Sequence, residues 1–166
     1  NIMSKIKVAI LAATGAVGQR FVQLLENHPW FEVTALTGSD RTIGQTYEEG
    51  CRWVLNAPMP DYAKKIKIIP TEAGLNAPLC FSALPADNAR DVEPAFAKAG
   101  HFIASNASAH RMWDDVPLLI PEVNPDHTAL VKAQQKNRGW SGFITTNPNC
   151  TSTGFTPERK LPALNT

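Results

Sequence analysis

The chain has 166 residues, of which 43% are hydrophobic and 19% charged, and its 16 basic and 15 acidic side chains leave a net charge of +1. That length suits one globular domain whose core forms without disulfides or metals, and the near-neutral charge excludes a basic nucleic-acid surface. The longest purely apolar run, Val8 to Ala13, is far shorter than the roughly 20 residues that a membrane-spanning helix needs.

The cysteines and histidines are too scattered to indicate a metal site. Cys51, Cys80 and Cys150 are an odd number at wide spacing, so we expect neither a disulfide framework nor a zinc site. Free thiols suit a reducing compartment, which favours a cytoplasmic protein. The histidines are expected at the surface or in loops: His28, His101, His110 and His127.

The first half of the chain alternates predicted strands with a predicted helix. The apolar run Ile6 to Leu11 predicts a strand, and Phe31 to Leu36 predicts a second. Between them, helical periodicity over Val17 to Asn27 predicts a helix whose inward face is expected to carry Val17, Phe21, Leu24 and Leu25. Shorter strands are predicted at Ile66 to Ile69 and at Leu79 to Ala83.

The second half continues the alternation. A helix is predicted from Ala86 to Ala99, ending at Gly100, with Ala89, Val92, Phe96 and Ala99 inward; Pro94 leaves open that its first part is a separate turn. Strands at Phe102 to Ala104 and Phe143 to Thr146 flank a polar-faced helix over Thr128 to Asn137. Strands joined by helices imply right-handed crossovers, so the predicted fold class is α/β, a doubly wound, mostly parallel sheet with helices on both faces.

A turn of small residues joins the first predicted strand to the first predicted helix. It runs from Ala12 to Gly18, with Gly15 and Gly18 at the spacing of a dinucleotide-binding turn and Ala12 where a first glycine is usual. Small residues let backbone N–H groups approach a pyrophosphate, and the helix N-terminus adds partial positive charge. We interpret the segment as a phosphate-binding turn; the alternative is an ordinary strand–helix connection.

The loop after the second predicted strand bears on the choice of nucleotide. Asp40 lies 22 positions beyond Gly18, about where an acidic residue binds the ribose 2′-hydroxyl in NAD enzymes. Arg41, flanked by Ser39 and Thr42, instead offers donors to the 2′-phosphate of NADP. The sequence favours NADP, and a solvated loop is the alternative.

Cys150 differs in its surroundings from the other two cysteines. It follows a predicted strand and a proline, among small polar residues where a helix could begin. A helix N-terminus lowers the pKa of a thiol and so raises the thiolate fraction. Cys51 and Cys80 fit ordinary burial, which leaves Cys150 as the candidate nucleophile.

Five segments, in a fixed order, resemble one enzyme family. They are Ala12 to Gln19, Phe81 to Pro85, Ser105 to Ser108, Val116 to Asn124 and Asn147 to Cys150. Together they resemble the N-terminal half of aspartate-β-semialdehyde dehydrogenase, in its archaeal and fungal branch. The resemblance covers about residues 5–154 and implies a Rossmann-like NADP-binding domain followed by a catalytic and dimerisation domain. It also implies a cytoplasmic homo-oligomer in lysine, threonine and methionine biosynthesis, with small molecules as ligands and no nucleic-acid or membrane partner.

The resemblance implies a role for each matching residue. Cys150 attacks the aldehyde of L-aspartate 4-semialdehyde, hydride passes from the thiohemiacetal to NADP, and phosphate releases aspartyl phosphate from the thioester; biosynthesis runs in reverse. Asn149 would bind the substrate carbonyl oxygen. Cofactor contacts are implied for Thr14, Gly15, Ala16, Val17, Ser39, Arg41, Thr42, Ser82, Ala83 and Leu84. Substrate or phosphate contacts are implied for Asn106, Ser108 and Arg111, with a surface charge as the alternative for Arg111.

The last residues depart from the family pattern. Residues 155–166 contain two prolines and no apolar helical stripe, whereas the family continues with an apolar helix and a domain that supplies its general-base histidine and substrate-binding arginines. We therefore expect a divergent tail over 155–166, an absent second domain and no turnover by the isolated chain. Three hypotheses remain: an NADP-dependent semialdehyde dehydrogenase, a related acyl-CoA reductase, and a truncated nucleotide- or partner-binding domain without catalysis. Ala12 leaves the affinity for NADP open.

Overall fold

Strands and helices alternate along the part of the chain that the computed structural model describes, residues 4–149. In order they are β1 (Ile6–Leu11), α1 (Ala16–Leu24), β2 (Phe31–Thr37), α2 (Tyr47–Gly50), α3 (Asp61–Lys64), β3 (Ile68–Ile69), β4 (Leu79–Ser82), α4 (Ala86–Lys98), β5 (Phe102–Ser105), a 3₁₀ turn (Pro125–Ala129), α5 (Leu130–Arg138) and β6 (Phe143–Thr146).

The six strands form one parallel sheet in the order β3-β2-β1-β4-β5-β6. The chain starts at the centre with β1, winds outward through β2 and β3, and then returns to β4 on the other side of β1. This is the strand order of a doubly wound dinucleotide-binding sheet, whose ligand crevice lies at the carboxyl ends of the strands where the winding reverses. The predicted fold class is confirmed.

Alternation along β1 divides the core into two layers. Val8 and Ile10 pack with α1, α2 and α3 on one face, whereas Ala9 and Leu11 pack with α4 on the other. All four side chains are fully buried, as the central strand of a sheet covered on both faces requires. Among residues 4–149, no helix is long and apolar enough to cross a membrane.

A side-chain amide covers the outer edge of β6. Gln134 of α5 donates to the carbonyl of Ile144 (2.9 Å) and accepts from its N–H (2.7 Å), imitating a neighbouring strand. Further along the same edge, Leu119 donates to the carbonyl of Thr146 (2.8 Å). The helix predicted as polar-faced therefore uses a polar side chain to satisfy the edge of the sheet.

The predicted inward face of α1 is wrong for two of its four residues. Val17 and Leu24 are 44% and 64% exposed, whereas Gly18, Gln19 and Val22 are buried. Gly18 sets the rotation of the helix, because its lack of a side chain allows the closest approach to β1. That approach turns the buried face by about one residue, or roughly 100°, from the expected one.

Helix α4 runs through Pro94 without a break, so Pro94 does not separate a turn from the helix. Proline removes the N–H that would bond to the carbonyl of Arg90, and His110 Nε2 lies 3.4 Å from that carbonyl instead. Of the expected inward residues, Ala99 is exposed, and Ala97 is buried in its place. Gly100 ends the helix with φ +98°, as predicted.

Two of the histidines lie in loops, one of the two expected locations, but they are buried rather than at the surface. His101 and His110 lie outside regular elements, yet they are 5% and 0% exposed. His101 lies 2.9 Å from the carbonyl of Ala77 and accepts from the N–H of Gly74. Burial of these rings is possible because polar atoms of the protein replace water around them.

Candidate functional site

The small-residue turn leaves the sheet at the end of β1, next to the point where the winding reverses. Ala12 and Ala13 donate their N–H groups to the side-chain and main-chain oxygens of Thr37 on β2, at 3.1 and 2.8 Å. Gly15 is the N-cap of α1, where no side chain caps the helix and no acidic residue occupies the first turn. The positive end of a nine-residue helix therefore faces the carboxyl edge of the sheet, as anion binding requires.

The two glycines of this turn have different surroundings. A Cβ on Gly18 would lie 2.3 Å from the carbonyl oxygen of Ala12 and 2.6 Å from Ala13 Cα. A Cβ on Gly15 would meet nothing closer than that same oxygen, at 3.7 Å. Gly18 is therefore needed for packing of the helix against β1, whereas Gly15 leaves the backbone open on its outer side.

Ala12 adopts the left-handed conformation, with φ +57°. This explains why a glycine is usual at the position, since a side chain there costs roughly 1–2 kcal/mol. The turn nevertheless keeps its geometry, because Ala12 is held by Thr37 and its carbonyl accepts from Gly15 at 3.3 Å. The substitution thus stores strain in the turn without opening it.

The Ser39–Thr42 loop lies beside the turn. A Cβ on Gly38 would be 2.6 Å from Thr42 Oγ1 and 3.7 Å from the Thr14 methyl, so the two segments meet across Gly38. The Thr42 hydroxyl donates within the loop to the carbonyl of Ser39 (3.0 Å). The side chains of Ser39 and Arg41 are exposed, so their hydrogen-bond donors can reach a ligand. Asp40 is exposed as well. The position of the loop suits contact with a nucleotide ribose, but its geometry does not distinguish the 2′-hydroxyl of NAD from the 2′-phosphate of NADP.

The last residues of four neighbouring strands lie side by side at the carboxyl edge of the sheet. Leu11 pairs with Ser82, Ser82 with Ser105, and Ser105 with Thr146. Ser82 Oγ is fully buried and has no hydrogen-bond partner within residues 4–149. Ala83 and Leu84 follow directly, and the N–H of Ala83 donates to the carbonyl of Leu11 (3.0 Å).

Four polar residues, Ser82, Asn106, Arg111 and Asn147, form a cluster at this edge, called here the Asn106 cluster. Asn106 donates its N–H to the carbonyl of Ser82 (3.0 Å), and its own carbonyl accepts from Arg111 Nη2 (2.9 Å). Its side-chain oxygen accepts from Asn147 Nδ2 (2.8 Å). Arg111 is half-buried, and its Nε is buried with no partner in the described part of the chain. Its guanidinium is therefore held within the cluster, and a contact of Arg111 with substrate or phosphate stays a prediction.

Ser108 is the one residue of this predicted group whose side chain is exposed. Its carbonyl accepts from the N–H of Arg111 at 3.3 Å, which closes the turn that directs Arg111 back toward Asn106. A cleft of about 260 Å³ borders the same place, lined by apolar groups including Phe21 and Phe81 and by Asn106 and Asn147.

A buried polar network supports the Asn106 cluster from behind. Glu93 of α4 is 0% exposed, accepts from Ser105 Oγ (2.6 Å) and lies 2.9 Å from His110 Nδ1. Ser105 Oγ also accepts from the N–H of Ala107 (3.1 Å). The network ties α4 to the residues before and after Asn106, and it was not anticipated because Glu93, Ser105 and His110 share no motif.

Two of the three cysteines are buried free thiols. Burial raises the pKa of the Cys80 thiol to about 12, and it also raises the pKa of Cys51. Both thiols are therefore protonated and unreactive at neutral pH, as expected from the sequence. Asn149 is exposed, and Cys150, the predicted nucleophile, lies outside the described residues, as does 151–166.

The geometry fits a dinucleotide. Within residues 4–149, the turn offers an uncapped helix N-terminus with an open Gly15, and the buried Ser82 hydroxyl lacks a partner. The neighbouring loop presents Ser39 and Arg41. Two residues that were not predicted to be in the site, Gln19 and Tyr47, donate hydrogen bonds to backbone carbonyls of the turn. Gln19 directly follows Gly18 in the motif, whereas Tyr47 carries no sequence signal for this role.

The strand order and this turn define the chain as a Rossmann-type dinucleotide-binding domain. The model of the semialdehyde dehydrogenase NAD-binding domain family matches residues 7–131. The chain belongs to that family, and the resemblance expected from the five segments is confirmed.

Individual relatives agree with the family. Aspartate-semialdehyde dehydrogenase of Archaeoglobus fulgidus is 55% identical over 146 residues, covering 87% of this chain and 43% of that protein. Malonyl CoA reductase (NADP) of Metallosphaera sedula is 41% identical over 151 residues, covering 90% and 42%. The crystal structure of aspartate semialdehyde dehydrogenase with NADP from Candida albicans matches with a TM-score of 0.85 at 37% identity, covering 95% of this chain and 46% of that one. The chain thus spans less than half the length of each.

Proposed function

We propose that this chain is the NADP-binding and nucleophile-bearing part of an aspartate-semialdehyde dehydrogenase. The observation that carries the proposal is the 55% identity to the Archaeoglobus enzyme over 146 residues. The open phosphate turn supports it, as do two groups at the carboxyl edge of the sheet that lack a hydrogen-bond partner within residues 4–149, Ser82 Oγ and Arg111 Nε.

In this proposal the N–H groups of Thr14 and of Gly15 to Val17 surround the pyrophosphate. Ser39, Arg41 and Thr42 lie at the 2′-phosphate, and Ser82 to Leu84 lie beneath the cofactor. The exposed guanidinium of Arg41 is the main reason to propose NADP, since a fixed positive charge favours a phosphate over a hydroxyl.

Cys150 is proposed as the nucleophile that adds to the substrate aldehyde, with Asn149 binding the carbonyl oxygen. NADP, when bound, supplies the hydride acceptor that turns the resulting thiohemiacetal into a thioester. Phosphate then attacks the thioester carbonyl, and the thiolate of Cys150 leaves. Arg111 and Asn106 are proposed to hold the phosphate or the substrate, since the buried Arg111 Nε has no hydrogen-bond partner among residues 4–149. Ser108 is assigned to the same group on its position alone. We place the reaction in the cytoplasm, where Cys150 stays reduced.

A related acyl-CoA reductase is the second candidate. It is favoured by the 41% identity to malonyl CoA reductase (NADP), which also covers most of this chain. Both candidates predict the same nucleotide site and the same cysteine, so they differ in the substrate that the thiolate accepts.

Binding and activity can be tested separately. Calorimetric titration of the 166-residue chain is expected to show tighter binding of NADP than of NAD, with the preference lost in Arg41→Ala. For activity, residues 5–154 replace the aligned part of the Archaeoglobus enzyme in one chimera and of the Metallosphaera enzyme in another. We expect NADP- and phosphate-dependent oxidation of the semialdehyde by the first, abolished by Cys150→Ser, and no malonyl-CoA reduction by the second. Activity in the second chimera alone would favour the acyl-CoA reductase.

A further inference from the structure

Two side chains hold the inner side of the phosphate turn. We propose that Tyr47 and Gln19 are positioning residues that aim N–H groups of the turn at a nucleotide pyrophosphate. The inference rests on the nucleotide-binding function proposed above. Neither residue touches the ligand; each acts through a backbone carbonyl.

Tyr47 fixes the peptide that joins Ala13 to Thr14. Its hydroxyl donates to the carbonyl of Ala13 at 2.7 Å, within the core, and Tyr47 is fully buried. In a trans peptide the carbonyl and the N–H point in opposite directions. Holding the Ala13 carbonyl toward the core therefore directs the Thr14 N–H away from it, to the side where the helix N-terminus is open.

Gln19 fixes the next peptide along the chain. Its Nε2 donates to the carbonyls of Thr14 and Arg52, both at 2.9 Å, and its Oε1 accepts from the N–H of Val54 at 2.8 Å. The amide is therefore anchored by a segment more than 30 positions away while it holds Thr14. Together, Tyr47 and Gln19 bind two successive carbonyls, so neither peptide can rotate without breaking a buried or partly buried hydrogen bond.

The hydrogen bonds from Tyr47 and Gln19 counteract backbone strain at Ala12, which is in the left-handed conformation. A side chain at φ +57° is strained, so the turn has a local reason to relax into another conformation. Burial raises the pKa of the Tyr47 phenol, which keeps its hydroxyl a donor throughout the working range of pH. The anchor is therefore permanent and independent of pH near neutrality.

Tyr47→Phe tests the inference, with Tyr62→Phe as the matched control. The Tyr62 hydroxyl also donates to a backbone carbonyl at 2.7 Å, but its acceptor is Val22 within α1, away from the turn. Each variant of the 166-residue chain is titrated with NADP and with adenosine 2′-phosphate, which has no pyrophosphate, and each is unfolded in urea. We expect Tyr47→Phe to weaken NADP about five- to tenfold, the equivalent of one lost hydrogen bond, and to leave adenosine 2′-phosphate unchanged. Tyr62→Phe should change neither affinity, although it loses similar stability.

The outcomes separate the inference from the proposed function. If the wild-type chain binds no NADP, the proposed function fails. If it binds NADP and both variants bind it equally well, or Tyr47→Phe loses both ligands in parallel, the positioning role is overturned. Should Tyr47→Phe not fold, the amide resonance of Thr14 in the wild-type chain decides. It must move on addition of NADP and stay in place with adenosine 2′-phosphate; an unmoved resonance with NADP counts against the inference.

Discussion

Replacing Gly18 by alanine should lower the free energy of unfolding of the domain, although it changes no side chain with a proposed function. The new Cβ would lie 2.3 Å from the Ala12 oxygen and 2.6 Å from Ala13 Cα. Carbon atoms in contact normally stay about 3.5 Å or more apart, so α1 would have to retreat by about 1 Å from β1. Both opposing atoms belong to the backbone of the turn that directly follows β1, which cannot move aside as a flexible side chain would.

The size of the effect follows from two opposing contributions. Inserting a carbon into a well-packed core typically costs about 1–3 kcal/mol, and a rigid backbone neighbour places Gly18→Ala at the upper end of that range. The better helix propensity of alanine returns about 1 kcal/mol. We therefore expect a net loss of about 2 kcal/mol, which is a large part of the 5–15 kcal/mol that typically stabilises a domain.

Urea unfolding followed by circular dichroism measures this loss, and Gly15→Ala is the matched control. At a typical slope of about 2 kcal/mol per molar urea, the midpoint should fall by about 1 M for Gly18→Ala. Gly15 has φ −76° and ψ 164°, which alanine adopts freely, and its Cβ would meet nothing within 3.4 Å. Gly15→Ala should therefore keep the wild-type midpoint but weaken NADP binding, because the methyl group stands where the pyrophosphate approaches.

These two variants test different statements. An unchanged midpoint for Gly18→Ala would refute the reasoning that this glycine permits the helix–strand contact. Undiminished NADP binding by Gly15→Ala would refute the placement of the pyrophosphate at that side of the turn.

Three further changes have expected outcomes. Ala12→Gly should raise the free energy of unfolding in urea by up to about 1 kcal/mol, because it removes the strain of a side chain at φ +57°. Glu93→Ala should lower that free energy by about 1–3 kcal/mol, because it leaves buried polar partners of Glu93 unpaired. Cys51 and Cys80 should resist iodoacetamide at pH 8 in the folded chain and react after unfolding, as read by mass spectrometry. Because the folded-state pKa of Cys80 is raised to about 12, this thiol should leave stability unchanged below about pH 8.5 and lower it above that pH by up to about 1.4 kcal/mol per pH unit, until the folded thiol also ionises. Cys51, whose pKa burial also raises, adds to the loss.

Each of these changes has its own control. Ala13→Gly removes a buried methyl group next to Ala12 and should destabilise the chain, so a gain in both variants would contradict the strain argument. Asp91→Ala, on the exposed side of α4, should change stability by less than about 0.5 kcal/mol, and a loss equal to that of Glu93→Ala would remove the special role of the network. Cys80→Ala should flatten the alkaline loss of stability; an unchanged slope would assign it to other groups.

Local sequence was sufficient to place the strands and the small-residue turn that follows β1. The short β-branched run before a cluster of small residues predicted β1 over Ile6–Leu11 with its observed bounds, and Phe143–Thr146 was predicted equally well. These features depend on neighbours along the chain: side-chain branching, turn chemistry and helix-ending glycine act within a few residues. The ordered segments around them were also enough to indicate the family.

Only the tertiary structure decided which side chains meet. The rotation of α1 depends on how closely Gly18 approaches Ala12, and no helical periodicity contains that distance. The guanidinium of Arg111 is held at the carboxyl edge of the sheet because it donates to the carbonyl of Asn106. Glu93, Ser105 and His110 come from a helix, a strand end and a loop.

The sequence by itself thus indicated the order of the six strands and of the three longer helices, together with the small-residue turn, but not the short helices α2 and α3. The tertiary structure decided which side chains are buried, which are exposed and which are held in place by hydrogen bonds to distant residues. The reason is physical: propensities and turns are local free energies, whereas the contact of Tyr47 with Ala13 spans 34 positions and exists only once the strands between them have paired.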